Sequence, residues 1–180
     1  MVLDIENRAW GRDGSDGKYI VSTDPELVQV DEVNRMFGSD VMWWAQGLPR
    51  EELAKALRNS LCFGLPRFLE DTPVNAMIDD RQSLKQVGFA RLVTDGVTFA
   101  WLTDVYVVAE HQGRGLARFL MESIKDVISE WRYLRRFMLL ASDSMDLYRK
   151  TLGVKDWREL GTDAVGVGVL EGPSGQRPSH

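Results

Sequence analysis

Two glycines flank an arginine at the point where a β-branched run gives way to a helical pattern. They are Gly113 and Gly115, on either side of Arg114, and a second cation, Arg118, follows in the first turn of the expected helix. A helix N-terminus has unpaired backbone N–H groups and a partial positive charge. Because glycines leave that end of the helix uncrowded, the stretch predicts a binding site for an anion such as a phosphate.

The two arginines favour the same interpretation. Arg114 and Arg118 are four residues apart and so lie on one face of the first turn, where the helix dipole disfavours a cation by about 0.3–1 kcal/mol. A bound polyanion would reverse that effect. The alternative is a tight strand-to-helix turn with solvated arginines, and the glycines alone do not decide between the two.

Two common phosphate-binding motifs do not match this turn. A dinucleotide fingerprint that starts at Gly113 requires a third glycine at the position of Arg118. A P-loop requires lysine and then serine or threonine after its last glycine, and neither follows Gly115. A phosphate site here must therefore be of another kind.

The composition is that of an ordinary globular protein. The chain has 180 residues, 44% hydrophobic and 27% charged, which suits a single domain over 1–180 with loosely ordered ends at 1–17 and 171–180. The formal net charge of −5 argues against a nucleic-acid partner. Cys62 is the only cysteine and His111 and His180 are the only histidines, so we expect neither a disulfide nor a metal.

The sequence shows no targeting or membrane signal. The first residues, MVLDIENRAWGRDG, lack the basic and then apolar layout of a signal peptide, and no apolar run approaches the ~20 residues that span a bilayer. We therefore expect a cytoplasmic protein with no membrane partner, and nuclear entry is left open.

Strand and helix patterns alternate along the rest of the chain. Strands are expected at 18–23, 62–69, 86–93, 97–109, 136–141 and 164–170. Helices are expected at 25–37, from Pro49 onward, at 114–132 and at 143–152. The first helix has the start signal Asp24-Pro25. The second has an apolar face of Leu53, Ala56, Leu57 and Leu61. The third has an apolar face of Leu116, Leu120, Ile124, Val127, Ile128 and Trp131.

Thr94-Asp95-Gly96 separates two of these strands. An Asp-Gly pair supplies the positive φ angles of a tight turn, which predicts an antiparallel hairpin. The pattern as a whole predicts a mixed α/β (α+β) domain with a mostly antiparallel sheet.

Residues 105–117, VYVVAEHQGRGLA, resemble the acetyl-CoA-binding motif of the GNAT superfamily of N-acetyltransferases. The core of that motif is [Q/R]-x-x-G-x-[G/A] after a β-strand, and Gln112, Gly115 and Ala117 fill its positions. The resemblance extends over roughly residues 18 to 160, through VGFAR at 87–91 and LYRKTLGV at 147–154. It implies the GNAT-like acyl-CoA N-acyltransferase fold, a central, mostly antiparallel sheet with splayed strands and flanking helices.

The resemblance also implies how acetyl-CoA would bind. The backbone amides from Gln112 through Ala117 would hold the pyrophosphate, the strand before them would run beside the pantetheine, and the gap between that strand and 136–141 would admit the cofactor. An amide near Val107 would stabilise the oxyanion that develops at the acetyl carbonyl. The implied cofactor-binding residues are Val105, Tyr106, Val107, Gln112, Gly113, Arg114, Gly115, Leu116, Ala117 and Arg118.

Tyr148 lies at the family position of the general acid that protonates the departing CoA thiolate. A phenol with an ordinary pKa near 10 is a usable proton donor to a thiolate at neutral pH. The alternative is an amphipathic core residue on a short helix.

Asp104 is the first candidate for the base that deprotonates the amine. By strand alternation it shares a face with apolar residues, where a lone carboxylate is costly unless it is paired or faces a cavity. A structural ion pair with Arg91 is an equally good interpretation. Glu110 is expected on the surface, and His111 is expected to pack against the turn rather than take part in catalysis.

The acceptor side and one cofactor position are less well defined. By the resemblance, the segment 42–47 lines the acceptor pocket, so Trp43 and Trp44 are substrate candidates, although tryptophans more often pack a helix. Many relatives carry asparagine after the strand equivalent to 136–141, whereas this chain has Ser142-Asp143-Ser144. Asp143 could instead cap the helix that carries Tyr148.

The expected activity is transfer of an acetyl group from acetyl-CoA to a primary amine, by direct attack in a ternary complex and without a metal. Cys62 has no evident imidazole partner, which disfavours a covalent intermediate. The acceptor is an amine-bearing small molecule or peptide, and relatives often form homodimers. Two alternatives remain at this point: a non-catalytic, CoA-binding regulatory module of the same fold, and a protein-interaction domain without a CoA site.

Overall fold

The computed structural model describes residues 5–68, 84–142 and 144–161, together with 167, 168, 170 and 173. Its strands are β1 (Ala9–Gly14), β2 (Gly17–Ser22), β3 (Leu61–Phe68), β4 (Lys85–Thr94), β5 (Phe99–Val107) and β6 (Arg136–Leu139). Its α-helices are α1 (Val30–Phe37), α2 (Arg50–Arg58), α3 (Leu116–Ser129) and α4 (Met145–Leu152). None of these helices is long and apolar enough to cross a membrane.

The six strands form one sheet in the order β1-β2-β3-β4-β5-β6. Neighbours from β1 to β5 pair antiparallel, and β6 pairs parallel to β5. The chain reaches β6 through α3, as a parallel pair requires, because a short hairpin cannot return a strand in the same direction. The predicted mixed architecture with a mostly antiparallel sheet is thus present.

Helix α3 supplies much of the core. Leu116, Leu120, Ile124 and Val127 are all buried, as their spacing predicts. The helix is shorter than the predicted 114–132, because it begins after Gly115 and ends at Ser129. Trp131 lies past its end, where it is half-buried against the core.

The predicted helix at 25–37 is divided in two. The Asp24 carboxylate accepts the Glu26 amide and starts only a 3₁₀ turn at Pro25–Leu27, after which α1 begins at Val30. The backbone between them is extended because Gln29 and Gln86 exchange hydrogen bonds: each backbone amide donates to the other side-chain carbonyl, at 3.0 and 3.2 Å. This pairing joins residues 57 apart, so local sequence could not reveal it.

Helix α2 and the β4–β5 hairpin each differ from prediction in detail. Leu53 and Leu57 are buried on α2 as expected, but Leu61 belongs to β3 and not to the helix face. The hairpin loop covers residues 95–98, and of its described residues only Gly96 has a positive φ, 74°. Asp95 holds the loop through its carboxylate, which accepts the Thr98 hydroxyl and the amides of residues 97–99; these bonds lower the pKa of Asp95 well below its usual range.

The amino-terminal expectation was wrong in one respect. Residues 9–14 are not a loose end but strand β1, which pairs with β2 across a two-residue Ser15-Asp16 turn. Because most of its residues are exposed, its sequence does not alternate between apolar and polar residues as that of a half-buried strand does. The strand predicted at 164–170 lies largely outside the described residues, and so does the end at 171–180 except for Pro173.

Candidate active site

A gap opens between β5 and β6. The parallel pairing of the two strands runs from Phe99 with Arg136 to Leu102 with Leu139 and then stops. Strand β5 continues to Val107, so on the β6 side residues 103–107 have no strand partner among the described residues. This is the splay that the resemblance implies.

A pocket of about 410 Å³ occupies this gap. Its walls are residues 101–105 of β5, residues 139–142, Trp43, Trp44, Ser144 and Tyr148. The volume lies in the lower part of the range for small-molecule sites, about 300–1,000 Å³. The pocket thus brings Tyr148, Asp104, Trp43 and Trp44 together, although they lie far apart in sequence.

Residues 112–118, hereafter the glycine turn, connect β5 to α3. Gly113 and Gly115 both have a φ of 73°, in the left-handed region that glycine adopts at low cost. Gly115 caps α3, whose first backbone bond runs from the Phe119 amide to the Gly115 carbonyl. The side-chain amide of Gln112 donates through Nε2 to the Val107 carbonyl at 2.9 Å and so ties the turn to the end of β5.

The backbone amides of residues 113–118 donate no hydrogen bond to any other residue that the structure describes. Six unpaired amides at the positive end of a 14-residue helix are a suitable site for an anion. The described residues of the glycine turn therefore fit a diphosphate.

The arginines of the turn have partners within the chain. Arg114 contacts the Asp16 carboxylate and donates to the Glu110 carbonyl at 3.1 Å. Arg118 pairs with Glu122 at 2.8 Å, one helical turn further on. Both arginines therefore have partners without a bound polyanion. The amides of the turn are the stronger argument for an anion site.

Asp16, in the β1–β2 turn, lies at the centre of a polar cluster beside the glycine turn. Its carboxylate accepts the Tyr19 hydroxyl at 2.8 Å and also pairs with Arg114 and Arg67. The Tyr19 hydrogen bond, followed by Arg114, lowers the pKa of Asp16. Since Tyr19 donates to Asp16, His111 Nδ1, 3.0 Å from the Tyr19 oxygen, is the donor to that oxygen.

His111 is buried and packs edge-on against the Tyr19 ring. Burial, followed by the nearby Arg67 and Arg114, lowers the pKa of His111, so the neutral ring is favoured. His111 does not line the pocket. These contacts agree with the expected packing role. Glu110 is exposed, as predicted.

Arg12 also reaches the turn, and sequence reasoning missed it. Its guanidinium donates to the Gly115 carbonyl at 2.9 Å and lies 5.9 Å from the centre of the Phe119 ring. A Cβ at Gly115 would lie 3.1 Å from the Arg12 Nη2 atom, whereas one at Gly113 would meet nothing within 4 Å. The positive φ therefore favours glycine at both positions, and at Gly115 a larger residue would also displace the Arg12 side chain by a few tenths of an ångström.

Asp104 both lines the pocket and forms an ion pair. Arg91 Nε and Nη2 each lie 2.6 Å from Asp104 Oδ2, and the Asp104 side chain is 7% exposed. Asp104 has a φ of 56° and lies where the β4–β5 register shifts. The structural pairing with Arg91 is therefore present, and it weakens the case for a base, because protonation of the carboxylate would break the pair.

Tyr148 is buried on α4 and faces the pocket. Trp43 and Trp44 meet edge to face, with ring centres 5.5 Å apart and planes at 84°. Trp44 also packs against the core, so its packing and pocket-lining interpretations both hold. Trp101 and Thr103 line the same pocket and were not singled out from the sequence, although their place on the motif strand beside Asp104 was a usable signal.

Residues 142–144 are only partly described. Ser142 and Ser144 line the pocket, and Asp143, with its expected capping role, lies outside the described residues. Cys62 is buried, does not line the pocket, and directs its thiol to the Leu57 carbonyl at 3.5 Å. Burial raises the pKa of Cys62 to about 12, so the reactive thiolate is strongly disfavoured.

Comparison with known proteins identifies the family. The sequence model of the Acetyltransferase (GNAT) family matches residues 41–154, from the segment before α2 to the residue after the α4 cap. A Gibberella zeae protein named "Putative acetyltransferase FG08082" is 45% identical over 180 residues, which cover 98% of this chain and 99% of that protein.

Solved structures agree. A crystal structure from Xanthomonas campestris pv. campestris, described as belonging to the GNAT family, has a TM-score of 0.62 and 30% identity, over 84% of this chain and 93% of that one. A Staphylococcus aureus structure, SA2161, has a TM-score of 0.57 at 20% identity, over 85% and 98%, and supports the fold. The predicted fold is therefore confirmed. By the family match and the 45% identity, this chain belongs to the GNAT family and is an acetyltransferase.

Proposed function

We propose that the chain transfers an acetyl group from acetyl-CoA to a primary amine by direct attack in a ternary complex. Members of the GNAT family generally use acetyl-CoA. The observation that carries the proposal is the set of amides at residues 113–118, which have no partner among the described residues. They belong to the turn that Gln112 ties to the end of β5, the strand that borders the gap. A diphosphate bound at the first feature would place the rest of the molecule at the second.

The glycine turn would hold the pyrophosphate. Its donors would be the backbone amides of residues 113–118, because the Gln112 amide already donates to the Ala109 carbonyl at 3.2 Å. Arg114 and Arg118 would add positive charge to the same turn. Residues 105–107 would pair with the pantetheine through their backbone. The Tyr106 side chain would take no part, because it is buried and its hydroxyl accepts from Gln86 Nε2 at 2.9 Å. Burial raises the pKa of Tyr106, which also argues against an acid–base role for it.

The chemistry requires two proton transfers. The amine nitrogen attacks the thioester carbonyl carbon, a C–N bond forms and the C–S bond breaks. The acceptor loses one proton to water or to Asp104, and the departing thiolate takes one from Tyr148, which regains it from solvent. Because Arg91 holds Asp104 at 2.6 Å, we favour water as the first proton acceptor.

Cys62 supports direct attack. A covalent acyl-enzyme route needs a nucleophile that reaches the thioester and is readily ionised. The Cys62 thiol is buried outside the pocket and its pKa is raised to about 12, so it meets neither condition.

The alternative of a non-catalytic CoA-binding module runs against the match to the acetyltransferase family and is kept only as the outcome that the experiment below would have to exclude. The Arg91–Asp104 pair favours it, since an ion-paired carboxylate leaves the pocket without an evident protein base among the described lining residues. The two candidates differ in one observable. Only the enzyme releases free CoA thiol when an amine is added.

A two-step experiment tests the proposal. Acetyl-CoA at saturating concentration should raise the melting temperature of the purified chain, because a ligand that binds only the folded state stabilises it. Thiol release is then followed on addition of a mixture of primary amines. Stabilisation without thiol release would favour the regulatory module, and no stabilisation would contradict both.

A further inference from the structure

The walls of the pocket point to the class of acceptor. Three tryptophans contribute to them: Trp43 and Trp44 before α2, and Trp101 on β5. We call these three residues the indole cluster. Tryptophan presents a broad apolar face that prefers to contact another aromatic ring.

The same walls offer little to a second positive charge. Among the described lining residues, Asp104 is the only one with a charged side chain. Its carboxylate is already satisfied by Arg91 at 2.6 Å and by the Thr103 hydroxyl at 3.2 Å. A polyamine or an aminoglycoside would have to bring further ammonium groups beside these walls, where no carboxylate of the described lining residues is unpaired, and that is unfavourable.

The pocket is also small. Its volume of about 410 Å³ must hold both the acetyl thioester and the acceptor. That leaves room for a compact body rather than for several sugar rings.

From these features we propose that the acceptor is a primary monoamine joined to an aromatic ring by a short alkyl chain, with the ring against the indole cluster. This inference rests on the acetyl-CoA-dependent activity proposed above. It adds the substrate class, which the family match does not supply.

An acceptor series tests the substrate class. The full chain is assayed for thiol release with saturating acetyl-CoA and 2-phenylethylamine, 2-cyclohexylethylamine, spermidine or a lysine-containing peptide blocked at its N-terminus. We expect kcat/KM for 2-phenylethylamine to exceed the other three by roughly tenfold or more. A higher value for spermidine or the peptide would overturn this inference and leave the acetyltransferase activity standing; an equal value for 2-cyclohexylethylamine would overturn the aromatic assignment.

Variants then test the location. Trp43→Ala should raise KM for 2-phenylethylamine by about five- to tenfold with little change in kcat or in stabilisation by acetyl-CoA. Because Trp44 also packs the core, Trp44→Phe is used there, with a smaller rise in KM. The matched control is Trp157→Ala, an exposed tryptophan outside the pocket, which should leave KM unchanged.

Three outcomes count against the inference. An unchanged KM in Trp43→Ala removes the indole cluster as the acceptor site. Stabilisation by acetyl-CoA with no thiol release for any amine shows a binding module without an acceptor. No stabilisation and no thiol release reject the proposed function itself, and this inference with it.

Discussion

The glycine turn and the indole cluster are built in different ways. The turn is seven consecutive residues, 112–118, and its proposed ligand would be held by backbone amides. The indole cluster takes side chains from two segments more than fifty residues apart, around Trp43 and at Trp101. A backbone site depends on conformation, so only residues that permit that conformation suffice. A side-chain site depends on the tertiary packing that brings its residues together.

The largest expected effect is at Tyr148, in the pocket that the indole cluster lines. Tyr148→Phe removes the hydroxyl proposed to protonate the thiolate, and should lower kcat by about 100-fold or more while the Kd for acetyl-CoA stays nearly constant. Steady-state thiol release and calorimetric binding measure the two quantities. Tyr133→Phe makes the same change at an exposed tyrosine and should alter neither. Unchanged turnover in Tyr148→Phe would remove this residue from the mechanism.

A glycine pair tests whether the turn acts through its backbone. Gly113 and Gly153 have φ values of 73° and 72°, and a Cβ on either would meet nothing within 4 Å. Alanine at either position should therefore cost about 1–2 kcal/mol of stability through strain alone. Only Gly113→Ala should also weaken acetyl-CoA binding, by roughly tenfold, because only that residue lies beside the anion site.

Denaturant titration and calorimetry separate the two effects. Equal losses of stability with unequal losses of affinity support the backbone site. Equal affinities in the two variants would mean that the turn does not hold the cofactor.

The Asp16 carboxylate competes with any anion for Arg114. Asp16→Asn should therefore lower the Kd for acetyl-CoA by about two- to fivefold, with a larger effect at low salt. The control is Asp13→Asn, which removes the same charge from an exposed residue that pairs with Lys18 at 3.8 Å and not with Arg114. A higher Kd in Asp16→Asn would show instead that Asp16 positions Arg114 for binding.

The smallest expected effect concerns pH. The pKa of His111 is lowered in the folded chain, so between the unfolded value of about 6.5 and that lower value the unfolded chain binds more protons. Stability should consequently fall as pH falls through this window, and His111 should contribute nothing to the pH dependence above about 6.5.

Melting temperatures at pH 7.5 and 5.5 measure this dependence. The decrease should be smaller in His111→Gln and unchanged in His180→Gln, which removes the other histidine of the chain. A decrease of the same size in all three proteins would assign the pH dependence to other groups.

The sequence predicted best where signals are local. The α3 face from Leu116 to Val127 follows a helical period, and the change from strand to helix occurs at Gly113 and Gly115, where the sequence predicts it. Both could be read from a few neighbouring residues.

The features that were missed depend on contacts between distant segments. Strand β1 is exposed and lacks alternation, and Arg12 on it reaches a carbonyl 103 residues away. The predicted helix at 25–37 is interrupted at Gln29 because Gln29 forms hydrogen bonds with the distant Gln86. For Asp104 the sequence left two roles open, and only the tertiary structure shows that Arg91 is within ion-pair distance. The pocket volume and its three indoles likewise follow from packing.

The glycine turn as a diphosphate site is the central claim, and a crystal structure of the chain with acetyl-CoA tests it most directly. We expect the pyrophosphate oxygens within hydrogen-bond distance of the amides of residues 113–118, and the thioester in the gap between β5 and β6. A pyrophosphate bound elsewhere, or a turn whose amides are covered by side chains of the protein in that crystal, would contradict the account.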